Sequence, residues 1–223
     1  MSKMTLSSEV YQQILEGILQ GFYLPGDRLK VLPLKERYSC TASPLREALF
    51  SLQESGWLDF EDNKGFSIKK IQKDQLWDLK KTCLEIEYLM LSKSIDIGSP
   101  EWESGVISSL HHLSKKEDTE QAVAYHEWSP LNYAFHHSLV AGCHSEALIE
   151  IWERLANRLS YFVFLSFKNH QESFLVNHKE HSEIAQAAIN KDKDKAKWLL
   201  THHHLHGFES VIDNLIKEKI LDN

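Results

Sequence analysis

The chain has 223 residues, 42% of them hydrophobic and 26% charged, enough apolar material for one large or two modest globular domains. Its formal charge of −7 argues against a uniformly basic nucleic-acid binder, but residues 1–72 balance nine Lys/Arg against nine Asp/Glu, residues 73–223 carry the whole deficit, and all thirteen His lie after residue 72. No apolar run reaches the ~18 residues of a membrane span, and Met1-Ser2-Lys3-Met4-Thr5 lacks the apolar core of a signal peptide. Cys40, Cys83 and Cys143 are odd in number and far apart, which predicts free thiols in a reducing cytoplasm rather than a disulfide frame.

Leu6, Val10, Ile14, Ile18 and Leu19 predict a first helix over about residues 7–20. Gly21 to Gly26, with its Pro-Gly pair, breaks it; Arg28 to Val31 is a short extended piece, and Pro33 to Tyr38 a short second helix. Ser43 is positioned to cap a third helix with Pro44 in its first turn, and Gly56 ends it. Leu45, Ala48, Leu49 and Leu52 form its inward face, leaving Thr41, Ser43 and Arg46 near the outer N-terminal end, as in a helix that enters a DNA major groove. The competing reading pairs Arg46 with Glu47 or Glu36 on a solvated face. Trp57 to Glu61 alternates apolar and polar as a strand, Asp62 to Gly65 turns, and Phe66 to Ile71 returns as a second strand. At the hairpin tip Lys64 suits a phosphate contact and Gly65 close backbone approach, whereas Lys69 and Lys70 read as solvated edge charges.

From Lys73 onward the pattern is helical. Asp74 is positioned to cap a long helix, Gly98-Ser99-Pro100 forms a loop, and further helices are predicted over about 101–116, 119–141, 145–167, 171–190 and 192–220. Asn132 and His136 stand at i and i+4 on one helix face; Glu180-His181 and His202-His203-His204 follow on two later helices. Three imidazoles and one oxygen from three helices suit a divalent transition metal such as Zn, Ni or Mn with open positions left over. Of the three consecutive His, only one can face a given point, because neighbours on a helix are about 100° apart.

The run Gly21, Leu24-Pro25-Gly26 and Leu29, followed by Ser43-Pro44-Leu45-Arg46-Glu47-Ala48-Leu49, Gly56-Trp57-Leu58 and Gly65-Phe66, resembles the DNA-binding domain of GntR-family bacterial transcription regulators. The chain departs from the family at Ala42, where an Arg is common. The order Asn132-x-x-x-His136, Glu180-His181-x-x-Ile184 and a His in the final helix resembles the helical FCD effector domain of the FadR-like subfamily. The resemblance implies Asn132, His136, His181 and His203 as metal ligands, with Asn132 replacing a usual Asp and adding no charge. It implies a small carboxylate effector held by a cation on the first bundle helix, here Lys81, with Arg158 and Tyr161 as further candidates. His178 reads as an outer partner of the metal or a rival ligand, and His137 and His206 as surface residues.

The expected fold is mainly α: a winged helix-turn-helix of three helices and a β-hairpin over residues 1–72, then an all-helical bundle of about six helices over 73–223. The expected function is a dimeric, DNA-binding, non-enzymatic regulator acting on a palindromic operator. The rival readings are a metal enzyme for small organic acids, with no H-E-x-x-H to support it, and a regulator whose metal is purely structural.

Overall fold

Thr5 caps the first helix, its Oγ1 accepting the Ser8 N–H at 3.2 Å, and α1 runs Leu6–Leu19 with Val10, Ile14 and Ile18 buried along one stripe. The structure, a computed structural model, describes residues 5–117, 125–167 and 178–222; the first parts of the helices expected over 119–141 and 171–190, residues 119–124 and 171–177, lie outside the described residues. After β1 (Arg28–Leu29) and α2 (Val31–Arg37), α3 (Ala42–Glu54) buries Leu45, Ala48, Leu49 and Leu52 in a core shared with α1. Each buried leucine contributes on the order of 2 kcal/mol of apolar transfer. The cap of α3 is two residues earlier than the sequence pattern predicts: Thr41 is the N-cap, and the Ser43 hydroxyl instead donates to Glu47 Oε1 at 3.3 Å. Pro44 still falls in the first turn, where its missing N–H breaks no helical bond.

β2 (Leu58–Glu61) and β3 (Gly65–Ile68) form the expected hairpin, with Leu58 opposite Ile68 and Glu61 opposite Gly65, and Asn63 takes φ 62° in the connecting turn. The sheet gains a third strand, since Arg28 and Leu29 of the extended piece pair with Ser67 and Phe66 to give the order β1-β3-β2. Phe66 is buried beneath Phe50 of α3 and Phe60 of β2, with ring centroids at 5.0 and 4.9 Å.

The second part consists of α4 (Lys73–Ile97), α5 (Pro100–Glu117), α6 (Tyr125–Ala141), α7 (Glu146–Phe167), α8 (His178–Ile189), α9 (Lys193–Leu205) and α10 (Phe208–Lys217). The start of α4 is held by Gln75, whose Oε1 accepts the Gln72 N–H at 3.0 Å; Asp74 does not cap it. The single helix expected over 192–220 is divided, because Gly207 takes φ 76° and turns α10 back so that Phe208, Val211, Ile212 and Leu215 are buried beside α7 and α9. Gly142 leaves no room for a side chain: a Cβ there would lie 2.8 Å from the Trp102 ring.

One continuous core runs through both parts. Between them, Tyr161 of α7 packs edge-on against Trp57 at 5.9 Å and donates its hydroxyl to the Tyr23 carbonyl at 2.8 Å.

Candidate functional site: a DNA-facing helix and a histidine centre

On the outer side of α3, Thr41, Ser43 and Arg46 are exposed, and among the described residues Arg46 makes no ion pair with Glu47, Glu36 or any other carboxylate. Its guanidinium is therefore available to a partner from solution. At the hairpin tip Gly65 has φ 79° with open space where a side chain would stand. Lys64 contacts Glu61 at 2.6 Å with both side chains about 60% exposed, and it holds the Glu61 carboxyl below its ordinary pKa. Such an exposed pair exchanges readily for a phosphate.

Inside the bundle, His136 of α6, His181 of α8 and His203 of α9 converge. Their ring centroids are 4.5 to 5.8 Å apart, and each offers a ligand atom within 4.8 Å of the others. Each ring is held through Nδ1 by a carboxylate from another helix. His136 Nδ1 lies 2.8 Å from Glu87 Oε1, His181 Nδ1 2.9 Å from Glu117 Oε1, and His203 Nδ1 2.9 Å from Glu180 Oε2. A carboxylate that accepts from Nδ1–H fixes the tautomer and leaves the Nε2 lone pair for a metal. His181 Nε2 and Asn132 Oδ1 are both buried without a hydrogen-bond partner, which is costly for a polar atom unless a cation satisfies it. Asn132 stands one turn before His136 on α6, so its orphaned oxygen belongs to the same helix face.

The electrostatics favour the same use. Burial pushes the His181 imidazolium down and the His203 imidazolium well below the ordinary histidine value, so both rings are neutral and hold no proton that a cation must displace. Glu87 is 1% exposed; burial works against its charge, but His204 and His136 outweigh that and hold its carboxyl well below the usual range. Glu87 accepts from His136 and from Trp152 Nε1 at 3.2 Å, and its Oε2 lies 3.0 Å from His204 Nε2, a buried atom without a hydrogen bond of good geometry. A second grouping, Glu87 with His136 and His204, has donor atoms equally close, yet the Lys80 ammonium sits 2.9 Å from His204 Nδ1 and opposes a cation there. The residues present thus fit a transition metal at the His136, His181 and His203 imidazoles.

A family model described as the FCD domain matches residues 79–206, and one described as bacterial regulatory proteins, gntR family, matches residues 6–68. The chain belongs to the GntR family and carries an FCD domain. This GntR-family chain is 28% identical over 207 residues to the HTH-type transcriptional repressor GlaR of Escherichia coli (strain K12), covering 91% of this chain and 94% of that one. It is 27% identical over 209 residues to the uncharacterized HTH-type transcriptional regulator YdhC of Bacillus subtilis (strain 168), covering 91% and 89%. Its fold is shared with E. coli McbR/YncC at TM-score 0.77 and 17% identity, covering 95% of this chain and 99% of that one. The relatives and the fold are those of transcriptional regulators, not of enzymes, which retires the metal-enzyme reading. No helix among the described residues is long and apolar enough to cross a membrane.

Three of the residues expected to hold an effector lie elsewhere in this GntR-family chain. Lys81 is exposed, its ammonium 5.9 Å over the Trp77 ring, because one residue along α4 rotates a side chain by about 100°. Its neighbour Lys80 is the one turned inward; burial lowers its pKa to about 8. Arg158 lies beside Gly56 and Tyr161 beneath Trp57, so both serve the junction with the DNA-facing part. Of the three consecutive His, only His203 joins His136 and His181; His204 turns to Glu87 and Lys80, and His202 stacks on Trp198. The His178 side chain lies outside what the structure describes.

Pattern reading named Glu180 only as the neighbour of His181, and it missed Glu87, Glu117 and Lys80. A signal was present for two of them. Lys80, Glu87 and Ser94 recur every seven residues among Leu76, Cys83, Met90 and Leu91, which puts polar groups on the buried stripe of α4.

Proposed function

We propose that this chain is a cytoplasmic, homodimeric repressor whose hold on a palindromic DNA operator is modulated by a small carboxylate bound at a metal in the helical part. Residues 1–72 form the reading head: Thr41, Ser43 and Arg46 face the major groove, and Lys64 and Gly65 meet the adjacent backbone. Residues 73–223 form the sensor, with Asn132, His136, His181 and His203 holding Zn, Ni or Mn. When bound, the metal supplies a Lewis-acidic centre with open positions for an anionic oxygen. The protein's own groups do the rest: Glu87, Glu117 and Glu180 aim the three imidazoles, and Lys80 adds a buried positive charge at the same end of the bundle. The repressor direction is supported by the E. coli relative GlaR, which is named a transcriptional repressor.

The observation that carries this reading is the convergence of three imidazoles whose Nδ1 atoms are each tied to a carboxylate, beside the orphaned Asn132 oxygen. The test compares chelator-stripped and metal-reloaded protein. Operator affinity is followed by fluorescence anisotropy across a panel of small carboxylates. A carboxylate-dependent change of about fivefold or more, present only in the reloaded protein and absent from His136→Ala, is the expected result. An equal response in stripped protein would remove the metal from the mechanism. Collapse of the bundle on chelation, with the ligand response unaffected until then, would assign the metal a structural role.

A further inference from the structure

A second group of metal donors lies on the surface directly outside the buried centre. His202 and His206 stand at i and i+4 at the C-terminal end of α9, both exposed, with ring centroids 5.3 Å apart. Glu180 of α8 faces them, and the three side chains each offer a ligand atom within 4.8 Å of the others. The backbone fixes this spacing, since the His206 N–H still donates to the His202 carbonyl at 2.8 Å although His206 itself is extended.

We propose that Glu180, His202 and His206 form a second, exposed site for a first-row divalent cation, joined to the buried centre through the Glu180 carboxylate. Two imidazoles one helical turn apart plus a carboxylate from a neighbouring helix are a donor set that Zn, Ni and Cu ions accept, at bond lengths of about 2.0–2.2 Å. Modest side-chain rotation closes the donors onto such an ion. The C-terminal end of α9 adds the negative end of the helix dipole, which favours a cation at that position. Glu180 spans the two sites: Oε2 accepts from His203 Nδ1 at 2.9 Å, while Oε1 lies 3.2 Å from His206 Nδ1. An outer cation takes the place of the contact between His206 Nδ1 and Glu180 Oε1. The outer ion draws on the same carboxylate that orients His203, so filling it weakens the buried centre's grip.

The Trp198 ring stacks on His202 at 5.6 Å and is 64% exposed, which supplies a local optical reporter. Full-length, chelator-stripped protein is titrated with Zn²⁺ alone by equilibrium dialysis, and separately with Cu²⁺ while Trp fluorescence is followed. Wild type is expected to take up a tight and a weaker Zn²⁺ ion. The double variant His202→Ala/His206→Ala should keep the tight ion, weaken the second by about 100-fold or more, and lose the Cu²⁺ quenching of Trp198. His136→Ala should lose the tight ion and keep the weaker one with its quenching. If wild type binds one ion and the double variant binds none, the outer site stands and the buried one fails. If the double variant matches wild type in both stoichiometry and quenching, the outer site is overturned.

Discussion

Replacing Tyr161 with Phe isolates one atom at the junction of the two parts. The ring stays, so its edge-on contact with Trp57 at 5.9 Å persists and no cavity opens. What goes is the hydroxyl that donates to the Tyr23 carbonyl at 2.8 Å, at a residue only 2% exposed. Among the described residues no other donor reaches that carbonyl, so the variant leaves a buried acceptor unsatisfied. The cost of such an orphan is about 1–3 kcal/mol. For a chain of this size each kcal/mol lowers Tm by about 2–4 °C. Calorimetry of the metal-loaded protein should therefore show a loss of several degrees. Operator affinity in the absence of effector should stay within about threefold of wild type, because the reading face of α3 is untouched, whereas the change in that affinity on effector binding should shrink. Unaltered Tm together with an unaltered effector response would refute the claim that this hydrogen bond ties the sensor to the head.

Arg46→Ala should weaken operator binding by about 1–3 kcal/mol and relax base preference, while Lys64→Ala should weaken all sequences alike and reduce the salt slope by about 1; anisotropy across ionic strengths distinguishes the two. Glu87→Gln keeps the shape but replaces an anion that three groups share, and metal affinity by competition with a chromophoric chelator should fall about 10- to 100-fold. Asn132→Asp adds a charge to the coordinating set and should tighten the same ion by about tenfold in that competition, with little change in fold. In metal-free protein the buried His181, His203 and His204 have pKa values below their unfolded values, His204 at about 4. Between those values and about 6.5 the unfolded chain binds more protons, so urea stability should fall as pH drops through this window. It should fall further as pH drops from about 4.5 toward 2, where the unfolded Glu87 and Glu180 carboxyls take up protons while the folded ones, Glu180 at about 2, still hold their charges. Constant stability from pH 7 to 4 would contradict the buried, neutral assignment.

Much of this architecture is legible before any coordinates, because apolar spacing reports which face of an element is inward. Leu45, Ala48, Leu49 and Leu52 place Arg46 outside, and the glycines at 56 and 65 punctuate the head where the chain takes positive φ. The sensor is legible as a set of residue types, because an i, i+4 pair and a His triplet must share helix faces. Its supporting charges are not. Lys80 meets His204 across 124 residues, and Glu87 meets Trp152 across 65, so neither pairing has a local signature. Lys81 is exposed and Lys80 buried, because one residue on a helix is the difference between solvent and interior. Arg158 and Tyr161 stand apart from the histidine donors for another reason: α7 spans 22 residues, roughly 33 Å, and its second half passes beneath the head.

The substitution of Asn for Asp at position 132 takes on a different meaning once these carboxylates are known. With three imidazoles and an amide around it, and no anionic ligand, a divalent cation would bring two uncompensated charges into a low-dielectric interior. Glu87, Glu117 and Glu180 supply three negative charges immediately outside, and Lys80 supplies one positive, so the centre approaches neutrality without a coordinating carboxylate. The charge that holds the ion is thus carried on helices α4, α5 and α8 rather than beside His136. One of those carboxylates, Glu87, is also bound by Trp152 of α7, the helix that places Tyr161 against Tyr23. In the proposed sensor, a ligand that repositions the metal acts on Glu87, and through Trp152 on the helix under the DNA-facing head. It shifts the head only to the extent that it prefers one of the two arrangements of that helix.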